Sequence, residues 1–142
     1  MKNAIIIYHS KTGTTCKFGN EMALYCKEKG INTRIISTEE YAKHDLDNMD
    51  YLFLGTWTKG LMFFAQHPDK QWKYFIQSIS IPENCKIILF TTFKIAVGSM
   101  FTKMRSQIQK SKHNIILELK SKNGKLSDYI LDLLGNYITA VF

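Results

Sequence analysis

The feature that most constrains the fold is the passage from Ile5-Ile6-Ile7-Tyr8 into His9-Ser10-Lys11-Thr12-Gly13-Thr14-Thr15. A short, continuous apolar run of this kind reads as a strand buried on both faces, and such a strand needs a parallel sheet with helices on either side. The turn that follows opens a helix, with Phe18, Met22, Tyr25 and Cys26 on one apolar face and Gly30 at its end. A helix start leaves amides without intrahelical partners and carries the positive end of the peptide dipoles, so it is a natural seat for an anion. Gly13 permits close approach, and Ser10, Thr12, Thr14 and Thr15 place four hydroxyls within six residues, a donor set suited to a terminal phosphate monoester. The same hydroxyls also suit an unliganded helix cap. This segment alone leaves both readings open.

Four further apolar runs, near Asn32–Ile36, Tyr51–Gly55, Lys86–Thr91 and Ile115–Leu119, alternate with helix-period segments. Trp72, Phe75, Ile76 and Ile79 form one helical face, stopped before Pro82; Phe101, Met104 and Ile108 form another; Leu126, Ile130, Leu133, Leu134, Tyr137 and Ile138 line the last. A short helical piece is also expected around Thr38–Leu46. The pattern predicts an α/β three-layer sandwich, a five-stranded parallel sheet in order 2-1-3-4-5 with about five helices. At 142 residues the chain is expected to fold as a single domain spanning 1–142.

Ligands in such sheets bind beyond the C-terminal strand ends, where the winding reverses. That rule selects three loops: His9–Thr15, Thr56–Pro68 and Thr92–Gly98. The second begins Gly55-Thr56-Trp57-Thr58-Lys59-Gly60, which sets an indole beside the predicted cleft as a stacking plane for a flat heterocycle. The third, entered through Thr91, runs Thr92-Phe93-Lys94-Ile95-Ala96-Val97-Gly98 and offers a second ring at Phe93. Both rings are also compatible with the core. Leu61-Met62-Phe63-Phe64-Ala65-Gln66-His67-Pro68 is unusually apolar for a loop; a short helical extension packed on the sheet is the expected form, with a lid or docking patch as the alternative, and His67 as a candidate proton donor.

Other chemistries are excluded by what stands at these positions. A phosphoacceptor domain needs an Asp at the end of the third strand and acidic metal ligands after the first, where this chain has Leu54-Gly55-Thr56 and Tyr8-His9-Ser10. The Gly-x-Gly-x-x-Gly turn of dinucleotide-binding folds and the Gly-Lys-Ser/Thr ending of nucleoside-triphosphate loops are both missing. Cys16, Cys26 and Cys85 show no metal-binding spacing and are expected to be buried, reduced thiols. No metal is expected. The apolar runs are too short to span a membrane and the first strand begins next to Met1, so the expectation is a soluble, cytoplasmic protein.

The formal charge is +7, and between Cys85 and Ser127 it is one-sided: Lys86, Lys94, Lys103, Arg105, Lys110, Lys112, Lys120, Lys122 and Lys125 face Glu118 alone. Such a field steers acidic proteins or anionic small molecules. With few aromatics interleaved among the lysines, nucleic acid is not expected as a partner.

Taken together, Ser10-Lys11-Thr12-Gly13-Thr14-Thr15 and Gly55-Thr56-Trp57 resemble two loops of the flavodoxin family, the first its FMN-phosphate turn and the second the loop whose Trp stacks on the flavin. The likeness runs the length of the chain without an insertion in the last strand, as in short-chain members. It implies a flavodoxin-like fold, FMN as cofactor and transfer of one or two electrons to a redox partner. Ser10 to Thr15 would hold the phosphate, Thr56, Trp57, Thr58, Lys59 and Gly60 one side of the ring, and the loop bearing Thr91, Thr92, Phe93, Lys94 and Gly98 the other. No catalytic residue is required of the chain itself. Two departures stand out: the third loop lacks the family's Asp and Tyr, and the chain is basic where family members are acidic. The partner is therefore expected to dock through an acidic face. The alternative is an FMN-dependent reductase or dehydrogenase acting on an anionic substrate such as a tetrapyrrole or quinone.

Overall fold

A computed structural model describes residues 1–61, 64–108 and 114–138. The elements run β1 (Asn3–His9), α1 (Thr14–Glu28), β2 (Asn32–Ser37), a 3-10 turn (Thr38–Glu40), β3 (Tyr51–Trp57), β4 (Lys59–Leu61), β5 (Phe64–His67), α2 (Lys70–Ser78), β6 (Lys86–Thr92), α3 (Met100–Ile108), β7 (Ile115–Ser121) and α4 (Asp128–Tyr137). The main sheet is ordered β2-β1-β3-β6-β7, and all its neighbours are parallel. Counting only those five strands, this is the predicted order 2-1-3-4-5.

Side-chain alternation along the strands divides the core in two. Ala4, Ile6, Phe53, Ile88 and Phe90 face α1 and α4, where they meet Phe18, Met22, Cys26, Ile130 and Leu134. Ile5, Ile7, Leu52, Leu54, Ile87 and Leu89 face α2 and α3 and pack on Trp72, Ile76, Met100 and Met104. Both faces of the central strands are thus apolar, which is why they read as unbroken hydrophobic runs. Phe90 meets Phe18 edge to face at 5.8 Å, and its ring occupies the space where a Cβ on Gly55 would sit, only 2.1 Å away. Gly55 is therefore set by core packing.

Helix ends follow local chemistry. Around Gly30, the Gly30 amide donates to the Lys27 carbonyl and the Ile31 amide to the Cys26 carbonyl, the bonding pattern of a glycine-terminated helix. Asp69 caps α2 by accepting from the Gln71 amide at 3.0 Å, and Ser127 caps α4.

Several expectations need correction. The Leu61–Pro68 segment is neither a loop nor a helical extension: β4 and β5 form an antiparallel hairpin with a bulge between Lys59 and Leu61. Met62 and Phe63, part of that expectation, lie outside the described residues. The Thr38–Leu46 helix shrinks to the Thr38–Glu40 turn, because Glu40 bonds back to the Ser37 amide and Asp45 to the Ala42 amide, closing local turns in place of a helix. That leaves four α-helices among the described residues. Tyr137 turns outward and is half exposed, and Cys16 is only partly buried, unlike Cys26 and Cys85. No helix among the described residues is long and apolar enough to cross a membrane.

Candidate functional site

β1, β3 and β6 end at one edge of the sheet, and the connections leaving them enclose a cavity of about 380 Å³. That falls within the size range of pockets that bury cofactor-sized ligands. Its position is the one topology dictates, beyond the carboxyl ends of β1 and β3 where the winding changes direction.

The first wall is the turn after β1. Gly13 adopts φ +93°, a left-handed conformation, and its amide donates to Ser10 Oγ at 3.0 Å. The first intrahelical bond of α1 runs from the Lys17 amide to the Gly13 carbonyl. The amides of Thr14, Thr15 and Cys16 therefore precede the helical ladder and belong to its positive end. Lys11, Thr12 and Thr14 line the cavity, and the Thr12 and Thr14 hydroxyls lie 3.5 Å apart. Ser10 and Gly13 stand behind them, shaping the turn. Thr15 is turned inward and buried; its hydroxyl pairs with that of Thr92 at 2.6 Å. This contact ties the first wall to the third.

The second wall comes from the end of β3. Trp57, Thr58 and Lys59 line the cavity, and the Lys11 ammonium sits 4.9 Å from the centre of the Trp57 indole. Thr56 is completely buried in the sheet and is not among the residues lining the cavity. Gly60 lies in β4. The Thr58 hydroxyl bonds that of Thr91 at 2.8 Å, and Thr91 also donates to the Thr56 carbonyl at 2.6 Å. Thr91 therefore braces the wall from inside without forming its surface.

On the third side stand Thr92, Phe93, Lys94, Ile95 and Ala96. Phe93 is partly exposed and lies on the cavity, not in the core. Gly98 sits behind this loop, against the side chain of Gln66. Four lining residues were not among the site residues named from the sequence: Ile95 and Ala96 within the third loop, Gln66 and Lys122. Gln66 reaches the cavity from β5, and Lys122 from the turn after β7. Gly124 in that turn packs within 2.8 Å of the Thr14 carbonyl, measured from where its Cβ would be. Gln66 was signalled by a lone amide in an apolar run, and Lys122 by its place just past a C-terminal strand end.

Lys11, Lys59, Lys94 and Lys122 all line the cavity, while no carboxylate lines it among the described residues. Asp69 lies outside it. Its Oδ2 is 3.3 Å from His9 Nε2 at the end of β1. Burial works to raise the Asp69 pKa, but the Gln71 amide, His9 and Lys59 together hold it below the ordinary carboxylate value. His67 donates its Nδ1–H to the Pro68 carbonyl, 2.8 Å away, and is not part of the cavity wall. No metal-binding cluster occurs among the described residues.

An open α/β sheet with an aromatic and hydroxyl-lined pocket at its switch point has that pocket where ligands of such sheets bind. The chain belongs to the flavodoxin domain family, whose sequence pattern matches residues 5–133. No curated protein matches it in sequence. Among solved structures it is similar to a flavodoxin from the domain Archaea, at 14% identity and TM-score 0.71, covering 94% of this chain and 92% of that one. A two-electron reduced flavodoxin of Megasphaera elsdenii matches at 18% identity and TM-score 0.69, with 89% of each chain covered. Rubredoxin oxygen:oxidoreductase of Desulfovibrio gigas matches at 14% identity and TM-score 0.73; 96% of this chain covers 34% of that longer one. At such identities the likeness is one of fold.

Proposed function

We propose that this chain binds FMN and carries electrons, one or two at a time, to a redox partner. One observation supports this most: the hydroxyl turn at the start of α1 and the indole at the end of β3 open onto the same cavity. The residues present fit the cofactor. Thr12, Thr14 and the first amides of α1 form an anion seat with Lys11 beside it, and Trp57 and Phe93 supply planar walls for a ring. When bound, FMN supplies the redox chemistry, and the protein contributes binding, orientation and charge. In this reading Ser10, Gly13 and Thr15 shape the phosphate turn, and Thr58, Lys59, Thr92 and Lys94 border the ring. Thr56, Gly60, Thr91 and Gly98 support those loops.

The partner is a redox protein with an acidic docking face. Lys59, Lys94 and Lys122 at the cavity, with Ile95 half exposed among them, make a basic rim with an apolar point. Three unpaired cysteines accord with a reducing, cytoplasmic setting. The test is a titration of the cofactor-free protein into FMN. Flavin fluorescence is expected to be quenched at one equivalent, and undiminished fluorescence would contradict the reading.

A second reading, a flavin-dependent reductase of an anionic substrate, draws on the lysines lining the cavity itself and not only its mouth. Rapid mixing separates the two. A reductase reoxidises with a saturable dependence on an anionic quinone, whereas a carrier shows no saturation.

A further inference from the structure

Gln66 is a polar side chain only 2% exposed, and it lines the cavity from the β4–β5 hairpin. Its backbone is pinned to the start of α3: the Lys103 ammonium donates to the Gln66 carbonyl at 2.9 Å, and Ser99 Oγ reaches the same oxygen at 3.4 Å. Its side chain lies against Gly98. A Cβ there would fall 2.2 Å from Gln66 Oε1 and 2.8 Å from Cδ, and Gly98 holds φ +53°. The hairpin and the loop before α3 thus meet at one amide.

Resting on the FMN reading, we propose that Gln66 is a specificity-determining residue that reads the polar edge of the flavin ring, and that Gly98 is its positioning residue. The pyrimidine edge of a flavin presents carbonyl acceptors around an N–H donor. A primary amide carries both an acceptor and donors and can match that pattern. The charged residues lining the cavity are lysines, which only donate, and threonine hydroxyls are single donor–acceptor atoms, whereas an amide presents a donor and an acceptor side by side. Gly98 acts by leaving room, since any side chain at that position would displace the amide.

The test measures FMN, riboflavin and inorganic phosphate binding separately. Gln66→Leu is expected to weaken FMN and riboflavin by the same factor, roughly ten-fold, and to leave phosphate binding unchanged. Gly98→Ala is expected to weaken both flavins as well. In a Gln66→Ala background, which removes the three nearest atoms, Gly98→Ala is expected to cost less flavin affinity than in wild type, the remainder being the strain of a side chain at φ +53°. Gln66→Glu, similar in size but negatively charged, is expected to make the flavin potential more negative. A Gln66→Leu protein that fails to fold leaves the Glu variant to decide the matter through its potential. Wild-type protein that takes no flavin overturns both this inference and the FMN reading. Wild-type protein that binds, with Gln66 variants indistinguishable from it in affinity and potential, overturns this inference alone.

Discussion

Trp57 separates the ring from the phosphate as sources of affinity. It lines the cavity while Thr56, one residue earlier, is buried in the sheet, so strand alternation alone aims the indole at the ligand. Trp57→Ala is expected to weaken FMN by roughly ten-fold through lost stacking and burial, with inorganic phosphate binding unchanged; isothermal titration with each ligand checks it. Asp69 offers a second residue-scale prediction. A carboxyl held below its ordinary pKa adds stability above its unfolded value of about 3.9 and loses it as pH falls through the folded value. Asp69→Ala, which removes both the cap and the His9 contact, should cost about 1–2 kcal/mol at neutral pH, and the deficit should shrink in acid. Asp69→Asn keeps a capping oxygen and should cost less. Urea denaturation of the three proteins at neutral and acidic pH measures both effects.

At the scale of elements, the strands were legible because β1, β3 and β6 are apolar on both faces, and nothing else so short and so hydrophobic fits a chain of this kind. The hairpin was not legible. Its apolar composition matches a packed helix as well as a strand pair, and what selects the strand pair is tertiary: Gln66 is fastened to Ser99 and Lys103. The Thr38–Leu46 helix failed for the opposite reason, since local side-chain to backbone bonds outcompeted helical ones. Gly55 shows how a site-like motif can have a packing cause. Phe90 fills the space beside it, so Gly55→Ala is expected to destabilise the fold by about 1–3 kcal/mol, read as a lowered denaturation midpoint. The thiols divide by element as well. Burial pushes Cys26 and Cys85 up to about 12, while Cys16 in the first turn of α1 is only partly buried. A thiol reagent at neutral pH is expected to modify Cys16 in the native protein and all three after unfolding.

For the whole molecule, only Lys94 and Lys122 of the one-sided stretch reach the cavity among the described residues, and it is the fold that joins them to Lys11 and Lys59 from elsewhere in the chain, across four separate connections. Topology pointed to three of these connections; the turn after β7 joins them because Gly124 packs on the start of α1. A positive charge about 6 Å from a reduced, anionic flavin is worth at most roughly 3 kcal/mol at an effective dielectric near 20, or about 130 mV for a one-electron step, and solvent screening lowers it. The flavin potential is accordingly expected to be less negative than in acidic flavodoxins. Replacing Lys59 and Lys94 by Gln should make it more negative by tens of millivolts, as spectroelectrochemistry would record. The whole account depends on the β1–α1 turn gripping a phosphate while β3 presents its indole to the attached ring. A crystal structure of the protein grown with excess FMN tests this most directly. The account predicts phosphate density at Thr12, Thr14 and the first amides of α1, with the ring against Trp57; FMN bound elsewhere, or a turn left empty, would contradict it.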